Sequence, residues 1–391
     1  MKAQTGSSIT ADPIAAGREA AQQAAAGLTE VKIAFVYSGV QYDQKALLAG
    51  VSHELPGVPL IGNTSFTGVI TPEGFISSED GFVGILALAG DDLVVGVAGS
   101  AKQQDARITG QKVAREALAA AGRPADGKIE PPDLFYMVAP PGEEEFYLKG
   151  IEDVIGRIPF FGGSAADNAI AGEWLLFNNG NVFADGVAVA FIYTNVPYAN
   201  VFTGAYEETK NIGVITKVRD NRVLEEIDGI PALERYAEWT EQSPEDLLGA
   251  NLLVATITAP LGVKDRLGDL IAIRHPMNGN DDYSMNIGAN LAEGTAVIQM
   301  QGSIDGLINS AGKTVSEVIN KLGRTPTALH LVHCGGRRAG IAERIDELVD
   351  AVKKAAGDIP FIVVFTFGEY GYEDDGNNTT GGLMLSYTAL G

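Results

Sequence analysis

One cysteine, Cys334, in 391 residues excludes an intramolecular disulfide and any cysteine-rich zinc site. Histidine is nearly as scarce. His53, His275, His330 and His333 are the full complement, so a metal centre would have to draw on carboxylates. Positive charge is also short: 28 Lys and Arg stand against 50 Asp and Glu, a formal net charge of −22. Such a surface repels phosphate backbones and anionic membranes, which makes nucleic acid and lipid poor partners. No apolar run approaches the ~20 residues of a membrane helix. The longest, such as 187–193 and 361–367, are strand length. The opening residues, Met1 to Gly6, carry no apolar signal region ahead of a cleavage site, so a cytoplasmic location is expected.

Hydrophobic residues at 46% and charged residues at 20% belong to a folded globular chain, and the length suggests two or three domains. A short phrase recurs three times: an apolar residue, proline, then an apolar run. The copies are Val58-Pro59-Leu60-Ile61-Gly62, Ile158-Pro159-Phe160-Phe161-Gly162 and Ile359-Pro360-Phe361-Ile362. Around each copy lies the same script. A helix-like stretch (11–28, 104–121, 306–322) leads to an apolar strand (31–37, 133–139, 327–333). A second helix (43–54, 143–155, 340–356) then leads to the proline strand. Repetition of this kind points to one duplicated unit.

Between and after these copies lie alternating segments that read as antiparallel strands, at 80–88, 93–99, 173–177, 186–193 and 199–206. Near Gly213 the pattern changes, with strands at 212–218 and 222–227 about a turn at Asp220-Asn221, a helix at 232–240, and strands near 269–275, 283–288 and 295–301. The short connections after each proline strand disfavour a wholly parallel sheet, whose crossovers need a dozen residues or more. The expected fold class is α+β: a layered α/β sandwich of mainly antiparallel sheets flanked by helices, built from repeated units, with two sheets packed together between helical layers.

Several segments resemble the FIST domain family, a small-ligand sensory module with N-terminal and C-terminal portions. The stretch Pro59 to Gly68 is similar to its first glycine-rich turn, and Phe161-Gly162-Gly163-Ser164-Ala165-Ala166-Asp167 to its second. Asn179-Gly180 followed by Gly186-Val187-Ala188-Val189 resembles the hairpin after it. Ile227 to Leu233 resembles the opening of the C-terminal portion, Cys334-Gly335-Gly336-Arg337 its cysteine-glycine-arginine turn, and Phe365-Thr366-Phe367-Gly368-Glu369 its aromatic-glycine-glutamate strand end. The resemblance implies an N-terminal tail at 1–10, an N-terminal domain at 11–211 made of two units, and a C-terminal domain at 212–391. One departure is the acidic loop Tyr370 to Gly376 before Asn377-Asn378-Thr379. It also implies a sensory role. Relatives are often fused to signalling modules, and with none in this chain the output is expected to pass through a separate signalling partner or a second copy of the chain.

Arg337 and Glu369 stand in loops after strands of one unit, where a guanidinium and a carboxylate side by side would suit an amino-acid-like zwitterion. The competing reading is that the two pair with each other. Ser164 and Asp167, with Thr64 in the equivalent first turn, offer hydroxyls and amides in glycine-rich loops. Cys334 adjoins the Arg337 turn and would contact the same ligand. His330 and His333 sit three apart on a strand and point to opposite faces. Because some members of the resembled family bind haem and sense nitric oxide, His333 or His275 would be the axial ligand in that alternative; otherwise no cofactor is expected. No nucleophile elbow, metal triad or dinucleotide fingerprint is present, so a non-enzymatic binding module is the expected function, with an enzyme on the same scaffold as the other possibility.

Overall fold

Each proline phrase opens the third strand of a unit that occurs three times in the computed structural model, which describes residues 1–264, 270–372 and 378–391. The first unit runs β1 (Lys2–Ser8), α1 (Pro13–Ala25), β2 (Val31–Ser38), α2 (Gln44–Glu54), β3 (Leu60–Thr64), a hairpin of β4 (Val69–Thr71) and β5 (Gly74–Ile76), and β6 (Val83–Ala89). The second repeats it element for element: β7 (Leu93–Ala101), α3 (Ala106–Ala120), β8 (Leu134–Ala139), α4 (Glu144–Ile155), β9 (Phe160–Ser164), the hairpin β10 (Leu176–Asn178) and β11 (Asn181–Phe183), and β12 (Gly186–Thr194).

The third unit begins with β13 (Tyr198–Thr203) and is then interrupted. Residues 207–301 form a separate layer before the unit resumes. That layer holds β14 (Glu207–Arg219), β15 (Val223–Ile227), β16 (Ile230–Pro231), α5 (Ala232–Thr240), α6 (Asn251–Ala255), β17 (Leu261–Lys264), β18 (Ile271–Arg274), β19 (Pro276–Gly279), β20 (Met285–Ile287) and β21 (Ala296–Gln301). The unit continues with α7 (Ile304–Leu322), β22 (Ala328–Cys334), α8 (Gly335–Ile341), α9 (Ile345–Ala356), β23 (Phe361–Thr366), the hairpin β24 (Glu369–Gly371) and β25 (Thr379–Gly381), and β26 (Leu385–Leu390).

Each unit builds a sheet with the same internal order, β1-β6-β2-β3, β7-β12-β8-β9 and β13-β26-β22-β23. The pairs β2/β3, β8/β9 and β22/β23 are parallel, because a helix crosses between their strands, and the other pairings are antiparallel. The hairpins do not stay at home. The first unit's β4 pairs with β23 of the third, the third unit's β24 with β9 of the second, and the second unit's β10 with β3 of the first. The exchange is cyclic and locks the three units into one ring.

Alternation along the strands decides what faces inward. Phe35, Tyr136 and His330 hold equivalent positions, opposite Ile61, Phe161 and Ile362 on the proline strands. Their rings meet in a triangle with centroid separations of 5.2, 4.9 and 5.3 Å. They sit in a buried core shared by all three sheets. The outward faces carry their own cores under the helix pairs α1/α2, α3/α4 and α7/α9. In the first two pairs glycine permits the helices to touch: a Cβ on Gly17 or Gly110 would lie 2.3 Å from the Leu47 or Tyr147 carbonyl oxygen. The interruption forms an eight-stranded antiparallel sheet with a core of Ile215, Leu224, Leu233, Tyr236 and Met285.

Four expectations change. The layout is three sheets around a shared axis rather than two between helical layers. Residues 1–10 are not a tail, since β1 pairs along its whole length with β6; its sparse apolar content hid an edge strand. The stretch 340–356 is not one helix, because Ala342 takes a positive φ of 47° and separates α8 from α9. The expected boundary at 211/212 cuts through β14, and β13 before it belongs to the third sheet.

Candidate functional site

The chain leaves β3, β9 and β23 at the same end of the axis, and there the three loops bind one another. Ala166 N–H donates to the Thr64 carbonyl, Phe367 N–H to the Ser164 carbonyl, and Phe66 N–H to the Phe365 carbonyl. One aromatic ring from each loop, Phe66, Trp174 and Phe367, gathers at this end, with Phe367 lying 5.6 Å from Phe66 and 6.2 Å from Trp174. The inserted sheet leans over them. Between the two lies a cavity of about 240 Å³. Its walls come from the three loops, from Cys334, Gly335 and Gly336 at the start of α8, and from Arg222, Leu253, His275 and Met277 of the inserted layer.

Cys334 and His275 are the two expected site residues that reach this cavity. The Cys334 sulfur accepts the Gly336 and Leu383 N–H groups at 3.3 and 3.1 Å, and burial pushes its thiol pKa well up. The remaining expected residues shape the site from behind. Arg337 is fully buried and donates to the carbonyls of Gly204, Leu383 and Leu307 and to Ser310 Oγ. Glu369 is equally buried and accepts the Thr366 hydroxyl and the Met384 N–H. Burial raises its pKa to about 8. No ion pair joins the two among the described residues, so they form neither the expected ligand clamp nor a mutual pair. Both terminal nitrogens of Arg337 and both oxygens of Glu369 are engaged within the fold, while Arg337 Nε is buried without a partner.

Thr64 is a clasp, its hydroxyl bridging the Leu175 N–H and carbonyl at 2.9 and 3.3 Å. Asp167 accepts the N–H groups of Ala169, Ala171 and Glu173. Burial would raise its pKa, and these bonds outweigh that and lower it. It thereby shapes the loop that carries Ile170 and Trp174 to the cavity. Ser164 Oγ lies 2.8 Å from the Tyr370 hydroxyl and 3.3 Å from Glu144. The acidic loop and the step after it are only partly described, since 373–377 lie outside the described residues.

Arg222 fixes the inserted layer to the second unit. It donates to Glu144 at 2.9 Å, to Glu145 at 2.6 Å and to the Gly288 carbonyl at 2.7 Å. Burial, then repulsion from Glu145, hold Glu144 above the ordinary carboxylate range, at about 7, against the pull of Arg222. Sequence reasoning missed this contact and the aromatic trio. Aligning the three loops exposes only part of the trio: Phe66 and Phe367 each stand five residues after the equivalent Ile61 and Ile362, whereas the second unit has Ala166 there and supplies Trp174 from further along its loop.

The histidines separate cleanly. His330 faces the axis, 2.5 Å from the Tyr37 hydroxyl, and burial lowers its pKa to about 3. His333 faces the other way, against Phe365, and is fully buried with Nδ1 near the Cys334 carbonyl. His275 bonds the Leu253 carbonyl through Nε2 at 3.2 Å. An axial haem ligand needs a nitrogen facing open space; His333 is sealed, and His275 commits Nε2 to a carbonyl and keeps only Nδ1 towards a cavity of about 240 Å³. Among the described residues no cluster of three metal-ligating side chains occurs.

Three units closing on one cavity make a repeated α+β fold with a candidate site at one end of its axis. Models of the FIST N domain and the FIST C domain match residues 32–230 and 232–372, and the chain belongs to the FIST family of sensory, ligand-binding modules. An uncharacterised protein of Methanocaldococcus jannaschii, MJ1623, is 24% identical over 297 residues, covering 71% of this chain. The chain spans 55% of that relative's length. Among solved structures it is similar to cyanuric acid hydrolase from A. caulinodans, at TM-score 0.37 and 11% identity. A second cyanuric acid hydrolase, described as an evolutionary innovation by structural concatenation, gives TM-score 0.39 and 9% identity. Each alignment covers 100% of this chain and 99% of the other. No helix among the described residues is long and apolar enough to cross a membrane.

Proposed function

We propose that the protein is a sensor whose small-molecule ligand occupies the cavity between the three axial loops and the inserted sheet, and whose signal passes to a separate protein partner. The observation that carries this is the origin of the walls: every unit contributes a loop, and the inserted layer supplies the facing side. A molecule seated there touches both the frame and the inserted layer, which are also joined by Arg222, by the Gly382 N–H on the Ile273 carbonyl and by Arg274 on the Thr380 carbonyl. Binding would favour the arrangement in which both bodies contact it, and a partner reading that arrangement would receive the signal.

The amino-acid-like ligand expected from Arg337 and Glu369 gives way to a less polar one, because those side chains are consumed inside the fold and the cavity is lined mainly by apolar groups. The test is a thermal-shift screen of small cyclic and aromatic compounds, followed by Met277→Trp. A ligand at 100 times its dissociation constant stabilises by about 2.7 kcal/mol. Met277 is half-buried on the wall, so the larger ring is expected to fill the cavity and abolish the shift while changing stability by less than about 1 kcal/mol. A shift that survives Met277→Trp unchanged would place the ligand elsewhere.

A further inference from the structure

Resting on that reading, we infer that the ligand is a neutral aromatic molecule bearing one O–H or N–H donor, and that His275 Nδ1 is the acceptor that selects it.

Three observations converge. First, the imidazole is 4% exposed and belongs to the cavity wall, with its Cε1 edge facing Gly336: a Cβ placed there would lie 3.3 Å from that carbon. Second, its tautomer is fixed. The Leu253 carbonyl can only accept, so Nε2 carries the proton, and the second ring nitrogen must then be an acceptor. Among the described residues no donor reaches that Nδ1. Burial holds the ring neutral, with its pKa lowered to about 4, so the lone pair persists at physiological pH. Unlike His330 Nδ1 and His333 Nε2, which are sealed without a partner, this nitrogen keeps access to the cavity, where a ligand donor can bond it.

Third, the remaining wall disfavours charge. Arg222 is the cationic side chain of the lining, and it is already shared between Glu144 and Glu145. A carboxylate ligand would meet two fixed carboxylates behind one committed arginine, and an ammonium would have no free counter-ion. Either charge would be desolvated without repayment. Phe66, Trp174 and Phe367 on one side and Leu253 and Met277 on the other instead present apolar surface to a flat ring.

The probes are 4-ethylphenol, its methyl ether 4-ethylanisole, and 4-ethylbenzoate, titrated calorimetrically into the full chain. The phenol is expected to bind at least about tenfold more tightly than the ether, which keeps the ring and loses the donor, and the benzoate more weakly still. His275→Asn, which retains an acceptor near Nδ1, should keep the preference for the phenol over the ether. His275→Phe should erase it. Nitrogen-15 spectra of the wild-type histidines add a readout independent of folding, because phenol binding should shift the unprotonated Nδ1 resonance of His275. Equal affinity for phenol and ether, or an unmoved Nδ1 resonance, overturns the role of His275 while leaving the cavity as the ligand site. No binding of any of the three overturns both.

Discussion

The first two units and the third solve the same folding problem with different freedoms. In the first two, strand, helix, strand, helix, strand, hairpin and strand follow without interruption. The third departs twice: residues 207–301 intrude after its first strand, and α8 is added after β22. Both additions line the cavity, through Arg222, Leu253, His275 and Met277 in one case and Gly335, Gly336 and Ala339 in the other. The regular units therefore supply a frame, with one loop from the first and two from the second, and the candidate site gathers where the repeat is broken. A site on a rigid frame can change its lining without changing the fold.

The sharpest way to break that comparison is Arg337→Ala. It stands in the addition to the third unit and yet serves the frame, bonding three carbonyls and a hydroxyl from α7, the Gly204 loop and the Leu383 turn. Its loss leaves several buried acceptors unpaired and a void, so a destabilisation of about 4 kcal/mol is expected in chemical denaturation. A loss under about 1 kcal/mol would show that these bonds are replaceable and that Arg337 is free for another task.

The middle of the proline strand offers a second contrast. Gly62 and Gly162 lie opposite Val36 and Met137, where a Cβ would fall 1.7 and 1.9 Å from the facing carbonyl oxygen. The equivalent residue of the third unit is Val363, opposite Leu331. Gly62→Ala should therefore cost about 3 kcal/mol, while Val363→Ala, a truncation without a backbone clash, should cost about 2 kcal/mol. Equal tolerance at both positions would mean that the first unit relaxes as readily as the third.

A pH titration tests the buried carboxyl that the third unit keeps. Glu369 has a folded pKa near 8, above its ordinary value of 4.5. Its folded state prefers the proton, so its contribution to stability is complete below about pH 4.5 and is lost as pH rises towards 8. One unit of such a shift is about 1.4 kcal/mol, so even half the displacement would be measurable as roughly 2 kcal/mol. Glu369→Gln should remove this decline and leave a flatter stability profile from pH 5 to 8. A profile with the same slope in the variant would assign the decline to another group.

The smallest effects should be equal across the units. Asp12, Asp105 and Ser303 cap the first helix of each unit by accepting the N–H of Ala15, Ile108 and Gly306. Alanine at each should cost about 1 kcal/mol. A much larger cost at one of them would mark that helix as special.

How much of this was legible follows from range. The proline phrase, the apolar strands and the capped helices are local patterns, and the three units were readable from them. The hairpin exchange was not, because nothing near Val69 or Leu176 in the sequence names a partner strand some 290 or 110 positions away. The site was half legible for the same reason. Cys334 and His275 were candidates by residue type, but Arg337 and Glu369 drew attention as charges in glycine-rich surroundings, where sequence alone could not show that α7 and β26 close over them. Gly335-Gly336 looked like a turn and is the first turn of α8, set by Cys334 as its N-cap. Tyr37 and Tyr136 gave no signal, and His330 only that it faces away from His333, since only the assembled ring brings residues from three units to one axis.

The cyclic hairpin exchange also sets a timetable for synthesis. As the ribosome releases the first unit, β3 has an open edge, and its cover at Leu176–Asn178 does not yet exist; β4 has nowhere to dock until Phe361–Thr366 have emerged. Until then the nascent chain carries unpaired strand edges, which are templates for mispairing. A truncated product would be left with at least one of them exposed.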